Sequence, residues 1–241
     1  MRRINLARAA LAPAAAVAAL AIGTGTAFAH PAPFDVSAGS ASSGEEVHVS
    51  GVSGTVTFKD TTTNVTLTCD TATVPADVTV GNGQSGTHLV PLDGTNSKWT
   101  DCTGPAGLKF DVAGYGTWYL NVDDVTSGVA TGTVTNIRAH VQSTQGPTCG
   151  FDVGDNAGSF TSSGTSTVDP GTVDATYTNS SQALDVPASN PGSLGLWNVD
   201  DGLGHPYCIT AAILGQGDAA SFSATFTVNA DDPANDPVAI N

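Results

Sequence analysis

Basic residues are scarce in this chain: Lys and Arg together number 7 against 22 Asp and Glu, giving a formal net charge of −15 over 241 residues. Such a surface repels phosphate backbones and anionic headgroups, which argues against nucleic acid and charged membranes as partners. Helical periodicity is missing as well. Outside the first 29 residues no apolar 3.6-residue period of useful length occurs, and no apolar run could span a bilayer, which excludes a helical bundle and a membrane helix in the mature chain. Catalytic signatures are equally sparse. There is no Gly-x-Ser-x-Gly elbow, no Cys-x-x-Cys with a nearby His pair for zinc, and the glycine-rich Gly81-Asn82-Gly83 lacks the Lys and the strand-to-helix setting of a phosphate loop. The expectation is a protein that is not an enzyme.

What is present begins with an export address. Met1-Arg2-Arg3 is followed by an Ala/Leu/Val run from Ala9 to Ile22 and closes on Ala27-Phe28-Ala29, the charged, apolar and small-residue regions of a secretory signal peptide. Residues 1–29 are therefore expected to be removed, placing the protein outside the cell or at its envelope. Their loss takes away Arg2, Arg3 and Arg8, so Lys59, Lys98, Lys109 and Arg138 become the remaining basic side chains.

An oxidising destination agrees with the even set Cys69, Cys102, Cys149 and Cys208. Four cysteines allow three pairings. The sequential one, Cys69 with Cys102 and Cys149 with Cys208, is favoured because it staples each half of the chain, and each bridge should stabilise by roughly 4 kcal/mol. Along the chain, apolar residues recur with period two, as in Val47/Val49, Val65/Leu67/Cys69 and Trp118/Leu120/Val122. Asn82-Gly83 and Asp93-Gly94 read as tight hairpin turns. The fold class expected is all-β, a disulfide-stapled antiparallel β-sandwich over residues 46–229, with two related halves near 46–147 and 148–229 as an option. Residues 30–45 read as a flexible arm and 230–241 as a disordered acidic tail.

Three chemical possibilities stand out. Cleavage after Ala29 would make His30 the N-terminus, where amine and imidazole nitrogens can chelate copper with a second His, best His140 and next His88 or His48. That arrangement resembles the histidine brace of lytic polysaccharide monooxygenases. The paired carboxylates Asp123-Asp124 and Asp200-Asp201 read as solvated turns at strand ends, their two side chains pointing to opposite faces. Trp99, Trp118 and Trp197 read as core, with a ligand groove as the alternative.

Several segments resemble a group of secreted, β-rich actinobacterial proteins with no assigned activity. They are Asp101-Cys102-Thr103-Gly104-Pro105, Gly116-Thr117-Trp118, Gly128-Val129-Ala130-Thr131-Gly132-Thr133-Val134, Ala175-Thr176-Tyr177-Thr178-Asn179 and Leu196-Trp197-Asn198-Val199. The resemblance implies secretion, fold and cysteine pairing without an activity. In composition the chain is also similar to the small acidic apoproteins that actinomycetes secrete to carry enediyne chromophores. The functional expectation is thus a non-catalytic structural or binding protein with an extracellular or cell-wall ligand. A copper protein and a carrier of an apolar small molecule are the alternatives. N-terminal sequencing of the exported protein should return His30 as the first residue; any other start removes the copper brace.

Overall fold

The computed structural model describes residues 33–145, 149–156, 168–188, 194–197, 199 and 214–241. Period-two apolar patterning becomes strand nearly everywhere, because alternate residues then face one dry side. The first strands are β1 (Phe34–Ala38), β2 (Glu46–Ser53), β3 (Val56–Asp60), β4 (Thr66–Cys69), β5 (Thr71–Thr79), β6 (Gly81–Gln84) and β7 (Val90–Asp93). They are followed by β8 (Lys98–Thr100), β9 (Cys102–Thr103), β10 (Lys109–Gly114), β11 (Thr117–Thr126), β12 (Val129–Ile137) and β13 (Ala139–Ser143). The last are β14 (Gly150–Gly154), β15 (Gly171–Thr178), β16 (Ala183–Val186), β17 (Leu194–Trp197), β18 (Ala219–Ala230) and β19 (Val238–Ile240). No helix among the described residues is long and apolar enough to cross a membrane.

The all-β expectation holds, but the architecture is not a plain sandwich. Strands β2, β5, β7, β11, β12, β15, β16 and β18 pair antiparallel in that order and return to β2, closing an eight-stranded barrel. Closure leaves no sheet edge to be protected, and an open sandwich would leave four. A second set, β3, β4, β9, β10, β13, β14 and β17, likewise returns to β18 through antiparallel pairs. Strand β18 belongs to both rings. Its first residues pair with β17 and β3, and its last with β16 and β2. Each ring draws strands from both sequence halves, so the halves near 46–147 and 148–229 are not separate sheet units.

The second ring is thinnest between β4 and β9, where one residue pair, Thr68 with Thr103, is in register. The Cys69–Cys102 disulfide lies at this junction, its Cα atoms 3.9 Å apart. This is the sequential pairing anticipated for the first two cysteines. Cys149 is also disulfide-bonded, and Cys208 lies outside the described residues.

The two terminal segments differ from the sequence expectation. Phe34–Ala38, within the supposed arm, and Val238–Ile240, within the supposed tail, are strands in a three-stranded sheet of order β19-β1-β6. Phe34, Val36, Ala38, Val238 and Ile240 are all buried. A few alternating apolar residues suffice here because the rest of the fold supplies the surface they cover. Side-chain amides complete the attachment: Gln182 donates to and accepts from the backbone of Val238 at 2.8 and 2.7 Å, and Asn179 does the same for Ile240 at 2.9 and 3.1 Å. Asn82-Gly83 lies inside β6 instead of forming a hairpin turn.

Local register also corrects the Asp123-Asp124 reading. The pair lies within β11, where the register against β12 shifts between Val122 and Asp124. This bulge inserts one extra residue, so both carboxylates are exposed rather than on opposite faces. Gly132 is required opposite it, since a Cβ there would approach the Asn121 carbonyl oxygen far inside van der Waals contact. Asp200-Asp201 lies outside the described residues.

Replacing both Cys69 and Cys102 by Ala should lower unfolding free energy by about 3–4 kcal/mol, the loop-closure value for a separation of 33 residues. Denaturant titration measures it. A loss under about 1 kcal/mol would mean the second ring closes without its covalent clamp.

Candidate functional site

Val is the most frequent residue facing the interior of the rings, with Leu next. β-Branched side chains favour strands, yet Val is short, and an eight-stranded ring is wide enough that its interior is filled by larger side chains or left open for one small ligand. The result is an interior cavity of about 140 Å³ running through both rings. Its wall includes Val74, Ala76, Val90 and Leu92 from the first ring, and Val141 and Val153 from the second.

The larger rings that reach this wall turn only hydrocarbon toward it. Tyr177 donates its hydroxyl to the Val238 carbonyl at 2.9 Å, Trp118 its indole N–H to the Tyr115 carbonyl at 3.2 Å, and Trp99 its own to the Ser97 hydroxyl at 3.0 Å. Burial, with a smaller contribution from the charge of Asp236, keeps the Tyr177 phenol protonated by raising its pKa far above the ordinary range. The tryptophan expectation is thereby refined: Trp118 is buried core and also cavity wall, whereas Trp197 is half-buried and donates to the Asp155 carbonyl. Val52 and Tyr115 are the large apolar side chains exposed among the described residues. Among the described residues the outer wall therefore offers no extended apolar patch.

The polar candidates sit apart from the cavity. His30 lies outside the described residues. His140, on β13, faces Asp152 across the β13–β14 pair with Nδ1 2.7 Å from the carboxylate. His88 adopts a positive φ of 55° before β7 and stacks on Tyr119 at 4.1 Å between ring centroids. The structure does not bring His48, His88 and His140 together into one ligand set. It forms a different group instead: Glu46 and His48 lie two apart on β2, and Asp77 is directly opposite His48 on β5. One ligand atom from each lies within 4.8 Å of the others. The Glu46-x-His48 spacing was visible in the sequence, but Asp77 joins it only through strand register.

The chain matches no protein-family profile, no curated protein and no solved structure.

The Asp77 carboxylate holds the His48 imidazole above its ordinary pKa, first by the 2.5 Å hydrogen bond to Nδ1 and then by charge, with Glu46 and Asp231 adding to the effect. A folded-state pKa raised in this way stabilises the fold below the ordinary His value, and the contribution is lost as pH rises through the raised value. Proton-detected titration should show the His48 midpoint falling in an Asp77→Asn variant. An unchanged midpoint would mean the contact does not persist in solution.

Proposed function

We propose that this is an exported, non-catalytic binding protein whose barrel interior holds one neutral, apolar small molecule. The observation that carries this reading is the cavity of about 140 Å³ whose wall presents no free polar group. Protein cavities of about that size accept benzene-sized molecules and stay dry when empty. A charged or strongly hydrogen-bonding ligand would lose its hydration there without replacement, which costs several kcal/mol. Specificity then comes from shape and from the absence of water.

The other features support the same reading from outside the cavity. The signal-like N-terminus argues for export, and disulfide bonds suit an oxidising space. An acidic outer surface keeps such a carrier soluble and free of anionic surfaces. The compositional likeness to secreted chromophore carriers and the likeness to secreted β-rich actinobacterial proteins fit with this role, in the extracellular space or at the cell envelope.

The test uses benzene and toluene as probes, with thermal unfolding and tryptophan fluorescence as readouts. Either ligand should raise the melting temperature and perturb the emission of Trp99 and Trp118, which line the cavity. Ala76→Leu fills part of the same space and should abolish the response while leaving the fold as stable or more so. Absence of any response in the wild-type protein, or an equal response in Ala76→Leu, would reject the proposal.

A further inference from the structure

One carboxylate in the second ring is buried without a complete set of partners. Asp60, the last residue of β3, is 1% exposed. Its Oδ1 accepts the backbone N–H groups of Thr62 and Thr63 at 2.7 and 3.0 Å, which shapes the turn into β4. Its Oδ2 is buried and has no hydrogen-bond partner. A buried carboxyl oxygen that no N–H or hydroxyl reaches is unfavourable, and a cation or a proton relieves it.

The surroundings offer a second carboxylate. Asp60 lies opposite Ala220 in the β3–β18 pair, and Asp218 is two residues before Ala220, just ahead of the strand. The two segments are tied by the Thr61 N–H and hydroxyl, both donated to the Ala219 carbonyl. Asp218 Oδ2 accepts the Gly215 N–H at 2.7 Å, and the Thr62 side chain also bonds this carboxylate. Burial, and then the charge and hydrogen bonding of Asp60, push the Asp218 carboxyl above its ordinary range, against the opposing effects of the Gly215 N–H and the Thr62 side chain, so the two carboxyls lie within hydrogen-bond reach of each other. Among the described residues, neither acid has a Lys, Arg or His in ion-pair contact. A small cavity of about 20 Å³ adjoins Asp60, and the other residues around it are apolar, so no donor reaches the acid from that side.

The geometry points to a divalent cation site, with Ca²⁺ as the fitting ion, held between Asp60 Oδ2 and the Asp218 carboxylate with the Thr62 hydroxyl as a further oxygen. Two carboxylates and a hydroxyl form a hard, all-oxygen donor set, and water arriving from the half-buried Asp218 side completes the six to eight ligands that Ca²⁺ takes. Mg²⁺ demands stricter octahedral geometry and gives up its water reluctantly, so it should bind less well. The ion would fasten the β3–β4 turn to the start of β18, the strand on which both rings close. This inference does not depend on what occupies the apolar interior.

The full chain at pH 7.5 and moderate salt, stripped with a chelator, is titrated with CaCl₂ and followed by thermal unfolding and calorimetry. Expected is one tight equivalent and a melting temperature higher by about 5–10 °C at roughly a hundredfold excess over the dissociation constant. Asp218→Asn should fold without the ion, because its amide can donate to Asp60 Oδ2 while its carbonyl keeps the Gly215 N–H, yet it should lose the Ca²⁺ response. Asp77→Asn, in the separate Glu46, His48 and Asp77 group, should keep the response. Equal melting temperatures in Ca²⁺ and chelator, or a full response in Asp218→Asn, would overturn the site.

Discussion

Everything in this fold depends on β18, which pairs with β17 and β3 near its start and with β16 and β2 further along. Its 12 residues are the one stretch of backbone common to both rings. Ala220 stands opposite both Leu194 and Asp60, and Phe226 opposite both Leu184 and Ser53, so a slip of one residue would misregister four strand pairs at once. Such a slip would also turn Phe222 and Phe226, which share one face, from the interior to solvent. The register of β18 is therefore specified twice, by burial and by closure.

Closure also decides what the interior can be. An open sheet adjusts its spacing until facing side chains touch, but a ring of fixed strand number has a cross-section set by its geometry. With Val and Ala at positions such as Val74, Ala76, Val173 and Val134, the enclosed volume exceeds what the side chains fill. Larger residues would close the gap, at a cost in local strain where they do not fit. The electrostatics follow the same division. The acidic residues that set the net charge are kept off this wall, and each polar tip that reaches it is tied to a neighbour.

The strands were legible because their signal is local. Val47/Val49 in β2, Trp118/Leu120/Val122 in β11 and Val173/Ala175/Tyr177 in β15 alternate cleanly, and each is buried as the alternation requires. The pairing of Cys69 with Cys102 could be favoured from separation alone. Closure was not legible, since period two says which face is dry and nothing about which strand returns to which. The terminal strands were hidden by Pro and Asp around them, and their burial comes from a surface made elsewhere in the chain. The same limit applies to the sites. Asp77 meets His48, and Asp218 meets Asp60, through register between strands that lie 29 and more than 150 residues apart.

The end of the first ring covered by β1 and β19 follows different rules from the ring itself. Within the ring, strands hold one another by continuous backbone ladders, whereas β19 is held on one side by β1 and on the other by the amides of Asn179 and Gln182 and the hydroxyl of Tyr177. A ladder opens cooperatively, but a strand held by a few side-chain contacts can separate while the ladder beside it stays intact, so local opening costs less there. Val36, Val238 and Ile240 are also cavity wall, and Tyr177 both lines the cavity and anchors Val238. The covering strands and the apolar interior are thus mechanically joined: whatever changes the packing against the Tyr177 ring acts directly on the bond that holds β19 in place.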